Sequence, residues 1–282
     1  MPMLVPIDAL TSPTLKHLRE LWWDDEFTEF LAETLRPRPG TRILDVGCGA
    51  GTGEVTIGRL QVSQLRLVGV DIDAEKVAAA RQETAGHNQR VGLAVADVTG
   101  LPFSDGAFDS TYCVAVLQHV RDAARAIREM ARVTARRGRL VVVEPDNHAR
   151  YAYCSVPAGA RAFDAAAHFF ATLATVRGEQ TDGAIGPRVS GLFAACGVEA
   201  LDVRMFPVSQ VKLGAQPDSM WRQRRARIEQ AIQQAPTDAV RRAGDQYLME
   251  LAAYQTEAGQ AGPAFVEIQH TMLFATVGQQ AE

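Results

Sequence analysis

The stretch Leu44-Asp45-Val46-Gly47-Cys48-Gly49-Ala50-Gly51-Thr52-Gly53 joins a short apolar run to a helical one through a cluster of glycines. Residues 41–46 are too short and too apolar for a helix and read as a strand, after a stop at Arg36-Pro37-Arg38-Pro39-Gly40. Helical periodicity resumes at about Glu54, and Gly47, Gly49 and Gly51 let the backbone turn sharply and approach a ligand closely. The same rhythm repeats downstream. Residues 65–70 form a second strand that stops at Asp71, and 74–85 an alanine-rich helix with Asp73 as its N-cap. Strands at 91–96, 108–114 and 140–143 follow, with a helix at 123–134 before the last. Strands alternating with helices predict a parallel sheet covered on both faces.

Upstream, residues 15–35 read as a helix, with Leu18, Leu21, Trp22, Phe27, Phe30 and Leu31 near helical spacing. Past Glu144 the rhythm breaks, because 145–186 holds one helix-like segment, 158–176, and no convincing strand. A helix at 187–195, a strand at 198–203, two polar helices within 216–258 and a long alternating strand at 265–277 complete the chain. No internal repeat or low-complexity tract interrupts it.

The chain has 282 residues, a formal charge of -4 and 47% hydrophobic residues, enough for a sizeable core. Basic residues are spread along it, which weighs against a nucleic-acid partner; Trp221-Arg222-Gln223-Arg224-Arg225-Ala226-Arg227 reads as a solvated helix face. Cys48, Cys113, Cys154 and Cys196 lie far apart with no metal-ligand spacing, so no metal is expected. No apolar run approaches the length of a membrane span, and the N-terminus lacks a signal-peptide pattern, which together predict a cytoplasmic protein.

Asp71 ends the second strand about where nucleotide-binding α/β folds place a ribose-binding acid, and Asp73 already suits the N-cap. Asp97 ends the third strand at the same edge, where it can accept from the exocyclic amine of an adenine. A dinucleotide-binding dehydrogenase competes for the glycine loop. Glycines at 47, 49 and 51 leave no third glycine three residues after the second, and the two acids suit a nucleoside without a pyrophosphate.

With Leu101-Pro102-Phe103-Ser104-Asp105-Gly106-Ala107-Phe108-Asp109 and Val116-Leu117-Gln118-His119-Val120, these segments resemble the class I methyltransferases, most closely the ubiquinone and menaquinone C-methyltransferase-like subfamily and many natural-product O- and N-methyltransferases. The likeness covers residues 41–144. It implies a Rossmann-like, seven-stranded, mostly parallel sheet with an antiparallel last strand, helices on both faces and helical lid insertions, and S-adenosylmethionine as cofactor. Carried over by position, Gly47, Gly49 and Gly51 surround the methionine part, Asp45 anchors its amino end, Asp71 takes the ribose, and Asp97 and Val98 the adenine, with Ile72 a further cofactor-binding position. Cys113 lies near the methionine part, and Gln118 orients cofactor or substrate. Two turns depart from the family pattern, Ala135-Arg136-Arg137-Gly138 and Asp122-Ala123.

The resemblance also divides the chain: 1–40 as an N-terminal helical lid segment, 41–146 as the cofactor-binding core, 147–186 as a helical substrate lid, and 187–282 as the rest of the core with a helical insertion at about 210–262. The insertion offers a lid or the surface of a homodimer. His119 is the candidate base, with a structural histidine as the equal alternative. Glu144 and Asp146, at the end of the fifth strand, either orient a substrate or cap a loop, and Trp22, Trp23, Tyr151 and Phe170 either line an apolar substrate pocket or pack a core. The expected reaction is methyl transfer to oxygen or nitrogen of a small-molecule metabolite, with C-methylation of a quinone-like ring, or cofactor binding without transfer, as alternatives.

Overall fold

The computed structural model describes residues 22–86, 90–177 and 182–281. The N-terminal part of the expected first helix, with Leu18 and Leu21, lies outside them. The described elements are α1 (Asp25–Leu35), β1 (Arg42–Val46), α2 (Thr52–Gly58), β2 (Arg66–Asp71), α3 (Ala74–Thr84), β3 (Arg90–Val95), β4 (Phe108–Val114), α4 (Ala123–Val133), β5 (Thr134–Cys154), α5 (Pro157–Arg177), α6 (Val189–Ala195), β6 (Val198–Leu213), α7 (Asp218–Gln234), α8 (Asp238–Ala261) and β7 (Val266–Gln280). A 3₁₀ turn, Leu117–His119, follows β4.

Seven strands are ordered β3-β2-β1-β4-β5-β7-β6. β1 pairs in parallel with β2 and β4, β2 with β3 and β4 with β5. Along β6 and β7, Gly214 meets Phe265, Lys212 meets Glu267 and Ser209 meets His270, so β7 runs antiparallel to β6. The expected mostly parallel sheet with a reversed last strand is what forms.

The chain separates into two compact units. One comprises 23–145, 184–206 and 273–282. Its helices bury one face each: Phe27, Phe30, Leu31 and Leu35 of α1, and Ala126, Ile127, Met130, Ala131 and Val133 of α4. Asp24 caps α1 by accepting from Phe27 N at 2.9 Å, and Asp122 caps α4 through Arg125 N at 2.8 Å. With Leu44, Val46, Cys113, Leu140 and Val142 the α4 face forms a continuous apolar core. Arg132 pins the 101–105 loop, donating to the carbonyls of Leu101 and Phe103 and pairing with Asp105 and Glu129.

The other unit comprises the described residues of 146–183 and 207–272, together with Trp22. Its core is helical: Ala162, Ala166, Phe169, Phe170 and Leu173 of α5 pack with Trp221 and Ile228 of α7 and Val240, Leu251 and Tyr254 of α8. Three strands correct the sequence reading. β5 continues to Cys154 where no strand was expected, β6 reaches Leu213 rather than residue 203, and β7 reaches Gln280. Their polar alternation and the Pro145 and Pro207 interruptions hide the extension, because a long strand with one wet face carries few apolar residues in sequence.

Candidate functional site

The first unit gathers its chemistry at the C-terminal edge of the parallel strands, where open α/β sheets bind ligands. Gly47, Gly49 and Gly51 all have left-handed backbone, with φ of 76°, 55° and 91°. Gly47 N and Cys48 N donate to Val70 O at 2.7 and 2.9 Å, tying the loop to β2. A Cβ at Gly47 would strike Val116 Cγ2, and one at Gly51 would stand 3.2 Å from the Ala80 backbone. Conformation and space both demand glycine here.

Asp71 is buried at the end of β2; its Oδ2 accepts from Gly49 N at 3.0 Å and its Oδ1 from Asp73 N at 2.9 Å. A carboxylate has about four acceptor positions, so these two bonds leave Asp71 capacity for further donors. Ile72 beside it is 70% exposed, a large apolar group held at the edge. Asp97 is exposed, and its Oδ1 takes both Thr99 N and Thr99 Oγ1 at 2.8 Å, while Val98 turns into the core.

Beneath the loop lies a group of acids that sequence reading found only in part. Asp45 accepts from Tyr112 Oη at 2.7 Å, its neighbour across the β1–β4 register. Glu54, in the first turn of α2, is buried, and neither of its oxygens has a hydrogen-bond partner among the described residues. Burial and the nearby Asp45 push its carboxyl well above the usual range. Burial, then Asp45 and Glu54, raise Tyr112 as well. Strand register could have flagged Tyr112, since it lies opposite Asp45. A Glu in a helix's first turn looks like an ordinary surface acid, and nothing in the sequence marks Glu54 as inward-facing.

The turn after β4 opens with Ala115 in the left-handed region, φ 57°. Glu144, fully buried, accepts from Val116 N at 2.8 Å, Leu117 N at 2.6 Å and Gln118 N at 3.3 Å. Burial lifts its carboxyl to about 7 even though those three donors work to lower it. Gln118 is buried and His119 exposed. Cys113 is buried in the core, and burial with Glu144 raises its thiol far above reactivity.

Asp45, Gly47, Gly49, Gly51, Asp71, Ile72, Asp97, Val98, Cys113, Gln118, His119, Glu144 and Trp23 therefore share one unit. Trp22, Asp146, Tyr151 and Phe170 belong to the other, where Tyr151 is 55% exposed and Phe170 packs on Phe169 and Tyr247 in the helical core. Among the described residues no group of three or more His, Cys, Asp or Glu is placed to hold a metal, and no helix is long and apolar enough to cross a membrane.

Residues 44–142 match the family model described as a methyltransferase domain. Over this segment the chain is similar to class I S-adenosylmethionine-dependent methyltransferase domains. It is 38% identical over 120 residues to an uncharacterized 37.1 kDa protein in transposon TN4556 of Streptomyces fradiae, covering 43% of this chain and 34% of that one. It is 33% identical over 148 residues to the 27-O-demethylrifamycin SV methyltransferase of Amycolatopsis mediterranei, covering 48% and 53%. The chain thus spans from about a third to a little over half the length of the curated relatives it first matches. The solved structure of the [4+2]-cyclase SpnF is similar in fold over 100% of this chain and 99% of its own, at 19% identity and a TM-score of 0.54.

Proposed function

We propose that the chain binds S-adenosylmethionine at the glycine loop and transfers its methyl group to oxygen or nitrogen of a small-molecule natural product. The observation that carries this reading is the row of acids at consecutive strand ends, Asp45, Asp71 and Asp97, around a loop whose three glycines all take left-handed backbone. The residues present fit the cofactor. Asp71 keeps acceptor capacity after its two backbone bonds, and the Asp97 Oδ2 makes no hydrogen bond with the described residues, so each can take donors from outside the chain. Ile72 offers apolar surface next to them.

When bound, the cofactor supplies an electrophilic methyl group on a sulfonium. The protein's part is then to align an acceptor, exclude water and, for a hydroxyl acceptor, remove one proton. His119 is exposed at this edge, and we assign it that proton. Asp71 and Asp97 would hold the nucleoside and Asp45 the amino end. The acceptor class follows from the named relatives, among them an enzyme of 27-O-demethylrifamycin SV, and the net charge of -4 argues against a nucleic-acid acceptor.

The same fold in a cyclase means the test must measure transfer and not binding alone. Purified protein is incubated with S-adenosylmethionine and a panel of hydroxylated macrocycles, phenols and amines, and S-adenosylhomocysteine is quantified by mass spectrometry. Product that forms only with protein and acceptor supports the reading. Tight cofactor binding with no product from any acceptor points to a protein that binds without transfer, and binding of nicotinamide cofactors instead would overturn the assignment.

A further inference from the structure

Glu144 is a fully buried carboxylate whose donors, among the described residues, are three consecutive backbone N–H groups, those of Val116, Leu117 and Gln118. Such an arrangement does more than satisfy one acid. The segment it grips follows directly on Ala115, a non-glycine residue in left-handed conformation that persists only if its surroundings impose it. Ala115 N is itself bonded to Val143 O at 2.8 Å, so two adjacent residues of β5, Val143 and Glu144, hold the turn.

What the turn touches gives the grip its meaning. Val116 occupies the space that a side chain at Gly47 would need: a Cβ there would collide with Val116 Cγ2 and stand 3.2 Å from Cγ1. The glycine loop is therefore shaped around Val116, and any displacement of the turn is felt by the loop as a gap or a clash. Two residues further on, the turn carries Gln118 inward and His119 outward. Gly186 packs against the backbone of the same strand, since a Cβ there would come within 2.6 Å of Glu144 O and 3.0 Å of Pro145 O. The Glu144 side chain itself is fully buried.

We propose that Glu144 is a positioning residue: its carboxylate fixes the 116–118 turn, and through Val116 that turn fixes the glycine loop in the shape that receives the cofactor. This rests on the reading of the loop as the S-adenosylmethionine site. Chemistry explains why an acid stands here. A carboxyl group has two oxygens with which to meet three donors, and a buried donor left unmet costs free energy. Glutamine would meet Val116 and Leu117 with its one oxygen and turn an NH₂ toward Gln118 N–H. Leucine would leave all three donors buried and unmet.

Isothermal titration with S-adenosylhomocysteine and amide hydrogen exchange of the 115–120 segment are measured on wild type, Glu144→Leu, Glu144→Gln and Val116→Ala. In Glu144→Leu, exchange of the segment should accelerate and the affinity weaken, each about tenfold or more, with Glu144→Gln between it and wild type. Val116→Ala should weaken the ligand by about three- to tenfold while the turn's amides exchange as in wild type. Fast exchange in Glu144→Leu with unchanged affinity would overturn the proposal, as would unchanged affinity in Val116→Ala. If Glu144→Leu does not fold, Glu144→Gln and Val116→Ala decide by the same criteria. A wild type that binds no S-adenosylhomocysteine removes the proposed function and this inference together; a wild type that binds, with variants that bind equally, removes this inference alone.

Discussion

Replacing Asp71 separates two jobs that one carboxylate performs. In the protein itself it receives Gly49 N at 3.0 Å and Asp73 N at 2.9 Å, which stabilises the loop against the start of α3. In the proposed complex its remaining lone pairs take the ribose hydroxyls. Hydrogen bonds to a charged acceptor contribute about 1.5–3 kcal/mol each, so loss of two ribose bonds in Asp71→Ala should cost about 3–6 kcal/mol, roughly a hundred- to ten-thousandfold in affinity. Asp71→Asn keeps one oxygen and should lose roughly half of that. The assay is isothermal titration with S-adenosylhomocysteine, with 5′-methylthioadenosine, which retains the ribose, and with methionine, which lacks it. A role confined to the scaffold would weaken all three ligands alike, whereas ribose recognition weakens the first two and spares methionine. Affinities of Asp71→Ala for S-adenosylhomocysteine within threefold of wild type would refute the reasoning.

Two further expectations concern buried carboxylates. Glu267, 1% exposed, is bonded by Lys212 at 2.6 Å, Arg224 at 2.7 Å, Gln269 at 2.9 Å and the Tyr254 hydroxyl; burial alone would raise its carboxyl, and Arg224 with Lys212 instead hold it well below the ordinary range. Glu267→Gln leaves Arg224 buried without its counter-charge and should destabilise the helical unit by about 3–5 kcal/mol in guanidinium unfolding, an expectation that a shift under ~1 kcal/mol would remove. Glu144 behaves oppositely with pH. Its folded pKa of about 7 lies above the ordinary 4.5, so its contribution is fully present below pH 4.5 and is lost as pH rises through 7, about 3 kcal/mol in all. Urea unfolding of wild type and Glu144→Gln at pH 5.5 and 8 should show the difference between them moving by about 2 kcal/mol in the variant's favour at the higher pH, and a pH-independent difference would mean that Glu144 does not titrate there.

The parallel half of the sheet was legible because its strands are short, apolar and punctuated: Asp71 stops β2, Asp73 caps α3, and the glycines between β1 and α2 have no other use. The second halves of β5 and β6 were not, because Arg204, Lys212 and their neighbours interrupt the apolar pattern and exposed Tyr151 and Tyr153 read as loop aromatics. At the site, residues fixed by local backbone needs were readable, while those defined by burial were not. Glu144, read as orienting a substrate or capping a loop, is taken up by the backbone of the 116–118 turn; Phe170, read as pocket lining or core, lies in a core. Sequence spacing reveals which edge a side chain stands on, but not whether another part of the chain has already claimed it.

The glycine run itself contains two kinds of glycine, and the difference bears on which ligand it was built for. Gly47, Gly49 and Gly51 have left-handed backbone; Gly53 does not, and its need is space, since a Cβ there would meet Asp45 Oδ2 and Tyr112 Oη. Gly69 on β2 serves the same end, for a Cβ at that position would meet Glu54 Oε1. Two glycines thus keep a chamber open for two buried carboxyl groups directly under the loop. Burial and Asp45 already disfavour ionisation of Glu54, so a pyrophosphate bound on that loop, as a dinucleotide would require, would add negative charge where negative charge is already disfavoured. A ligand that brings an ammonium and a sulfonium would instead favour the ionised carboxyl groups. On the proposed reading of the site, the acids that sequence reading could only half see thus suit a cationic cofactor better than a dinucleotide.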